Sequence, residues 1–103
     1  MSVIKITNEN YKEEVLNSEK PVIIDFYVDW CGPCRMMSPI IDEIAEKLSD
    51  SVKVGKVNVD DNQELAMEYN VMSIPTIVIR KEGKVVKTFV GVTDKNEILE
   101  QLV

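Results

Sequence analysis

The only two cysteines of the chain stand three residues apart, in Trp30-Cys31-Gly32-Pro33-Cys34. Two thiols at that spacing can carry out a complete two-electron exchange. One, as a thiolate, attacks a disulfide, and the other displaces whatever the first has captured. The flanking residues favour this use. A strongly apolar run precedes the motif and a helical pattern follows it, so Cys31 falls at a helix N-terminus. Free backbone N–H groups and the positive end of the helix dipole stabilise a negative sulfur there. Pro33 suits a first-turn position, where its missing N–H costs nothing. Gly32 lets another backbone approach without a Cβ in the way. Cys34 lies one turn further in, within reach of Cys31. A structural disulfide explains the pair less well, because a loop of about four residues contributes only about 2 kcal/mol, against about 4.7 for a 100-residue loop. A zinc site is also disfavoured: zinc wants four ligands, and the chain has no histidine and no further cysteine. Zinc could bind only between chains.

The element that delivers the motif is residues 21–29 (PVIIDFYVD), too apolar for a strand wet on one face and suited to a central strand covered on both. Asp25 interrupts that run. A carboxyl in such a strand is desolvated, which raises its pKa. It can then take a proton from Cys34, directly or through water, and return it. The alternative is a structural aspartate paired with a cation. Lys56 is the candidate partner, since it shares strand parity with Val52 and Val54 and so points inward. Both roles can hold together.

The remaining elements follow from periodicity and punctuation. Residues 3–6 read as a first strand and 11–16 as a short helix, with Thr7, Asn8 and Asn10 all possible caps. The helix after the motif runs to about residue 48, with Met37, Ile41, Ile44 and Leu48 as its buried stripe, and Pro39 is expected to kink it. Residues 52–59 form a strand. Asp61 with Glu64 resembles a capping pair opening a helix to Tyr69, and Asn70 suits the left-handed residue after it. Residues 76–80 and 85–90 are strands joined at Glu82-Gly83. Asp94 and Glu97 repeat the capping spacing before a last helix to about residue 102. The methionines at 36, 37, 67 and 72 read as packing residues, with Met72 a candidate for exposure at a site rim. The order β-α-β-α-β-α-β-β-α predicts an α/β fold: a mixed central β-sheet of about five strands with helices on both faces.

Composition bounds the function classes. The chain has 103 residues, which fits a single domain over 1–103. Its apolar fraction of 45% and charged fraction of 29% are those of an ordinary globular protein. The net charge of −6 and the lack of a basic stripe argue against nucleic-acid binding. Lys81, Lys84 and Lys87 alternate along the last hairpin and read as a solvated face. No stretch approaches the roughly 20 apolar residues that cross a bilayer. Residues 1–5 carry no apolar run of signal-peptide length, so a cytoplasmic location is expected.

The segment Asp25 to Cys34 (DFYVDWCGPC), the later Ile74-Pro75-Thr76, and Gly83 and Gly91 resemble the thioredoxin family, and the likeness extends over essentially the whole chain. The resemblance implies the thioredoxin fold. It also implies reduction of protein disulfides by a monomer that needs no cofactor and is re-reduced by a thioredoxin reductase. Residue by residue, it makes Cys31 the nucleophile, Cys34 the resolving thiol and Asp25 the buried proton acceptor, with a lysine at Lys56. It makes Pro75 a cis-proline against the cysteines. It directs an extended substrate segment along Ile74, over an apolar patch of Trp30, Gly32, Pro33, Ile74, Pro75, Gly91 and Val92. Tyr27, Arg35, Met72 and Ser73 depart from the commonest family pattern, which bears on partner preference and redox potential rather than on the chemistry.

Two rival functions use the same residues. An oxidase or isomerase would show a potential well above that of cytosolic glutathione. A binding module would use the apolar patch alone and would survive loss of both thiols.

Overall fold

Residues 21–27 bring β-branched and aromatic side chains to both faces of one strand, and the structure, a computed structural model, places that strand at the centre of the molecule. It describes residues 3–102; residues 1, 2 and 103 of the expected 1–103 unit, and with them the first two positions of the segment read for a signal peptide, lie outside it. The elements are β1 (Val3–Lys5), a single wide helical turn (Lys12–Leu16), β2 (Val22–Tyr27), α1 (Gly32–Lys47), β3 (Lys53–Asn58), α2 (Gln63–Glu68), β4 (Thr76–Lys81), β5 (Lys84–Val90) and α3 (Lys95–Glu100). They form one five-stranded sheet in the order β1-β3-β2-β4-β5. The β1, β3 and β2 ladders are parallel, and β2–β4 and β4–β5 are antiparallel. This is the mixed α/β sheet that the element order predicts.

Because side chains alternate along a strand, β2 feeds two cores. Ile23 joins Met37, Ile41 and Ile44 of α1, Val54, Ile77, Ile79 and Ile98 on one face. Val22, Ile24 and Phe26 join Ile6, Val15, Val57, Leu65 and Val78 on the other. Asp25 has the parity of Ile23 and therefore faces α1. Its register partners are Lys56 in β3 and Ile77 in β4. Gly55 is required for packing, because a Cβ there would fall inside the Ile6 side chain, 2.7 Å from Cγ1.

The local signals are realised unevenly. Thr7 and Asn10 bond each other in the turn that leads into the helical turn, Asn10 N–H donating to Thr7 Oγ1 at 3.2 Å and Thr7 N–H to Asn10 Oδ1 at 2.7 Å, while the helical turn's own N-cap, Tyr11, makes no side-chain cap. The Glu82-Gly83 turn has positive φ at both residues, 52° and 82°, the geometry of a two-residue hairpin whose twist matches its strands. Asn70 is left-handed, φ 54°. The capping readings before α2 and α3 fail. Asn62, not Asp61, occupies the position before α2, and its side chain makes no cap. It is buried and used elsewhere, accepting from Asn8 N–H and donating to the Asn58 carbonyl, each at 3.0 Å. Asp94 stands at the cap of α3 without a side-chain bond, and α3 ends at Glu100. Pro39 removes one N–H from the ladder, yet α1 continues through it to Lys47. No described helix is long and apolar enough to cross a membrane.

Candidate active site

The chain leaves the end of β2 in a short turn, in which Cys31 N–H donates to the Val28 carbonyl at 3.4 Å, and enters α1 at Gly32. Cys31 is thus the N-cap, in extended conformation, and its Sγ accepts the Cys34 N–H at 3.1 Å. Serine, threonine or aspartate does the same at ordinary helix starts through oxygen. The bond aims an otherwise orphaned donor at the sulfur, and no acidic residue stands in the first turn to oppose a negative charge. Cys31 and Cys34 are joined as a disulfide with Cα atoms 5.2 Å apart. Both are buried, packed with Val28 and against Tyr27, Val59 and Ile74.

The segments around the pair carry the other expected residues. The Ile74–Pro75 peptide is cis, Pro75 is buried, and Ile74 lies against the sulfurs. The Pro75 carbonyl accepts Gly91 N–H at 2.8 Å, which ties the loop after β5 to the cis-proline. Gly91 has φ 90°, a conformation that favours glycine. Two residues on, Thr93 N–H donates to Met37 Sδ at 3.2 Å. Trp30, 70% exposed, is held by a hydrogen bond from Nε1 to Asp60 Oδ2 at 3.1 Å. Gly32, Pro33 and Val92 are exposed. A Cβ on Gly32 would meet nothing within 4 Å, so the open space lies outside the molecule.

Asp25 is fully buried, and neither of its carboxyl oxygens has a hydrogen-bond partner among the described residues. Burial raises its pKa to about 6, the Lys56 charge acting against the rise and Asp42 adding to it. Lys56 does point to the α1 face, but among the described residues it forms no ion pair with Asp25. Its ammonium donates to Ser38 Oγ at 2.9 Å and lies 4.9 Å from the centre of the Tyr27 ring. A cleft of about 170 Å³ runs from the surface to Cys34 between Tyr27, Arg35, Ser38 and Lys56. A separate cleft between Leu16 and Arg80 is lined by neither cysteine.

Three contacts were not foreseen from the sequence. Ser38 follows Cys34 by one helical turn, which places both on one stripe of α1; that spacing was the available signal. Asp60 and Thr93 carried none. The methionine reading needs correction. Of the four, Met37 is buried while Met36 and Met67 are exposed against expectation; Met72, 93% exposed, has the exposure expected of it.

Residues 2–103 match the family model described as Thioredoxin. The chain is 48% identical over 102 residues to the thioredoxin of Pyropia yezoensis, covering 99% of this chain and 95% of the relative. It is 48% identical over 97 residues to thioredoxin 1 of Synechococcus elongatus, covering 94% and 91%. To the thioredoxin of Rickettsia prowazekii it is 47% identical over 98 residues, covering 95% and 93%.

Proposed function

The chain belongs to the thioredoxin family and is a thiol–disulfide oxidoreductase, and we propose that Cys31 is its nucleophile, Cys34 its resolving thiol and Asp25 the acceptor of the resolving proton. Proteins bearing disulfides are the substrate class, and a reductase is the partner that closes the cycle. The observation that carries the residue assignment is the Cys31–Cys34 disulfide at the N-terminus of α1, with the buried Asp25 carboxyl, unpartnered among the described residues, on the sheet face that α1 covers.

In the dithiol form, Cys31 as thiolate attacks one sulfur of a substrate disulfide. A mixed disulfide forms, and one substrate sulfur leaves as a thiolate. Cys34 then gives its proton to the Asp25 carboxylate, directly or through water in the adjoining cleft, and attacks Cys31 Sγ. The mixed disulfide breaks, the Cys31–Cys34 bond forms, and the second substrate sulfur leaves. Two electrons have passed to the substrate, and no cofactor is needed to hold them. A raised pKa suits Asp25 to this role. With a pKa of about 6 it is ionised near neutrality and yet basic enough to take a thiol proton.

The substrate segment runs in extended form along Ile74, over Trp30, Gly32, Pro33, Pro75, Gly91 and Val92. The fine assignment is of a cytoplasmic monomer, re-reduced by a thioredoxin reductase, that binds no nucleic acid. Reduction of insulin disulfides tests the central claim: Cys31→Ser abolishes it, and most of the activity surviving that change overturns the assignment. The resolving step is expected to slow as pH falls through about 6, as Asp25 becomes protonated, and Asp25→Asn removes that limb of the profile.

A further inference from the structure

Along α1, Cys34, Ser38 and Asp42 recur every fourth residue and so form one stripe of the helix. Between this stripe and the sheet sits the half-buried Lys56, whose register partner in the adjacent parallel strand is Asp25. Neighbouring strands lie ~4.8 Å apart and partners in parallel register project to the same face, so a lysine stem easily brings its ammonium onto the carboxyl beside it. Both oxygens of that carboxyl are open to a donor. The ammonium is nevertheless elsewhere: it donates to Ser38 Oγ at 2.9 Å and rests 4.9 Å from the centre of the Tyr27 ring.

We propose that Ser38 is a positioning residue for disulfide exchange: its hydroxyl anchors the Lys56 ammonium beside the Asp25 carboxyl rather than on it, and so keeps that carboxyl basic enough to accept the Cys34 proton. The inference rests on the reading of Asp25 as that acceptor. A carboxylate in direct contact with an ammonium is held in its charged form and is a poor base. The same ammonium one hydroxyl away still tempers the cost of burying the charge without quenching its basicity. The groups acting on Asp25 are few. The charges are Lys56 from β3 and Asp42 from α1, and the β4 partner is the apolar Ile77. With the serine hydroxyl removed, the ammonium loses its only side-chain hydrogen-bond acceptor among the described residues, and the unpartnered carboxyl is the nearest replacement on its register.

The test is the ionisation midpoint of the Asp25 side chain, read by carbon NMR of the carboxyl in the disulfide form. Ser38→Ala is expected to move the midpoint toward acid by about half to one pH unit. Ser38→Thr, which keeps a hydroxyl, restores it. Lys56→Met raises the midpoint, and adding Ser38→Ala to Lys56→Met shifts it no further. The resolution rate of a mixed disulfide in Ser38→Ala falls about two- to three-fold near neutrality, its pH profile displaced with the carboxyl. A midpoint unchanged or raised in Ser38→Ala overturns the proposal, as does an acid shift that persists without Lys56. The relay itself is decided separately. If Asp25→Asn resolves mixed disulfides as fast as the parent, Asp25 is not the acceptor, whatever the titration says of Ser38.

Discussion

Asp25 and Phe26 are neighbours in β2, and their side chains enter opposite halves of the molecule. On the Phe26 side, the polar groups that reach the core edge are closed on one another. Tyr11 and Tyr69 share a hydroxyl–hydroxyl hydrogen bond of 2.7 Å, Arg80 Nη1 donates to Tyr69 Oη at 3.2 Å and Nη2 to the Gly83 carbonyl at 3.2 Å, and the Tyr69 ring packs on Phe26. Burial, and then the bond to Tyr69, push the Tyr11 phenol above its ordinary range and hold it neutral. On the Asp25 side, a carboxyl with greater charge and less exposure has no hydrogen-bond partner among the described residues. Partnered polar groups under a sheet stabilise it. An unpartnered one persists against its cost, and in this chain it lies on the sheet face covered by α1, the helix that begins at the two sulfurs. The side of the sheet that is incomplete as structure is the side equipped for chemistry.

The largest effect expected from this contrast is on stability, and its sign is the reverse of ordinary core damage. The folded pKa of Asp25, about 6, lies above the ordinary aspartate value of 3.8. The native state therefore holds the proton more tightly than the unfolded chain does. Stability is undiminished below about pH 4 and falls as pH rises through 4 to 6, by about 3 kcal/mol at full ionisation. Asp25→Asn is expected to stabilise the protein by roughly that amount at pH 7–8, with almost no effect at pH 4. Urea unfolding at the two pH values reads the difference directly. A variant less stable than the parent at pH 8 would show that the carboxylate is partnered in solution after all.

The Phe26 side answers with the opposite sign. Tyr69→Phe keeps the ring against Phe26 and removes the oxygen that joins Tyr11 to Arg80. It is expected to cost about 1–2 kcal/mol in urea unfolding, since two donors lose their shared partner, and to leave insulin reduction unchanged. Were it neutral for stability, or were it to slow catalysis, the division of the molecule into a closed half and a working half would fail.

How much of this was readable from residues alone divides along the same line. The run of residues 21–29 reveals a doubly covered strand because burial on both faces leaves no alternation, and Glu82-Gly83 marks the hairpin because the turn needs φ > 0 twice. The sulfurs and Asp25 stand out because their types conflict with their surroundings. Ser38 does not, since a serine on a helix is unremarkable until Lys56 is brought over it from a strand fifteen or more residues away. Asn62 is hidden for the same reason: the bond that diverts it from capping comes from Asn8, 54 residues earlier. The exposure of Met36 is legible from the helical stripe. The stripe through Met37, Ile41 and Ile44 turns the adjacent Met36 about 100° away from the core.

Between the unpartnered carboxyl and the closed tyrosine pair lies an intermediate case, and it yields the smallest effect. The buried Thr93 N–H has a partner, but a weak one, the thioether of Met37. That bond, with the one from Gly91 N–H to the Pro75 carbonyl, holds the 91–93 loop against α1 and the cis-proline. Met37→Leu nearly conserves volume in the core, so the packing loss is small and the change isolates the sulfur as an acceptor. If sulfur satisfies the amide, its removal leaves a buried donor unpaired, and the expected cost is about 1 kcal/mol. The loop should loosen locally: hydrogen exchange at the Thr93 amide speeds up while amides in β2 are unchanged relative to global stability. Because Gly91 and Val92 belong to the proposed substrate surface, KM for insulin should rise with little change in kcat. Unaltered exchange at Thr93 would show that the thioether only fills space, and the graded series from no partner to weak partner to full partner would lose its middle term.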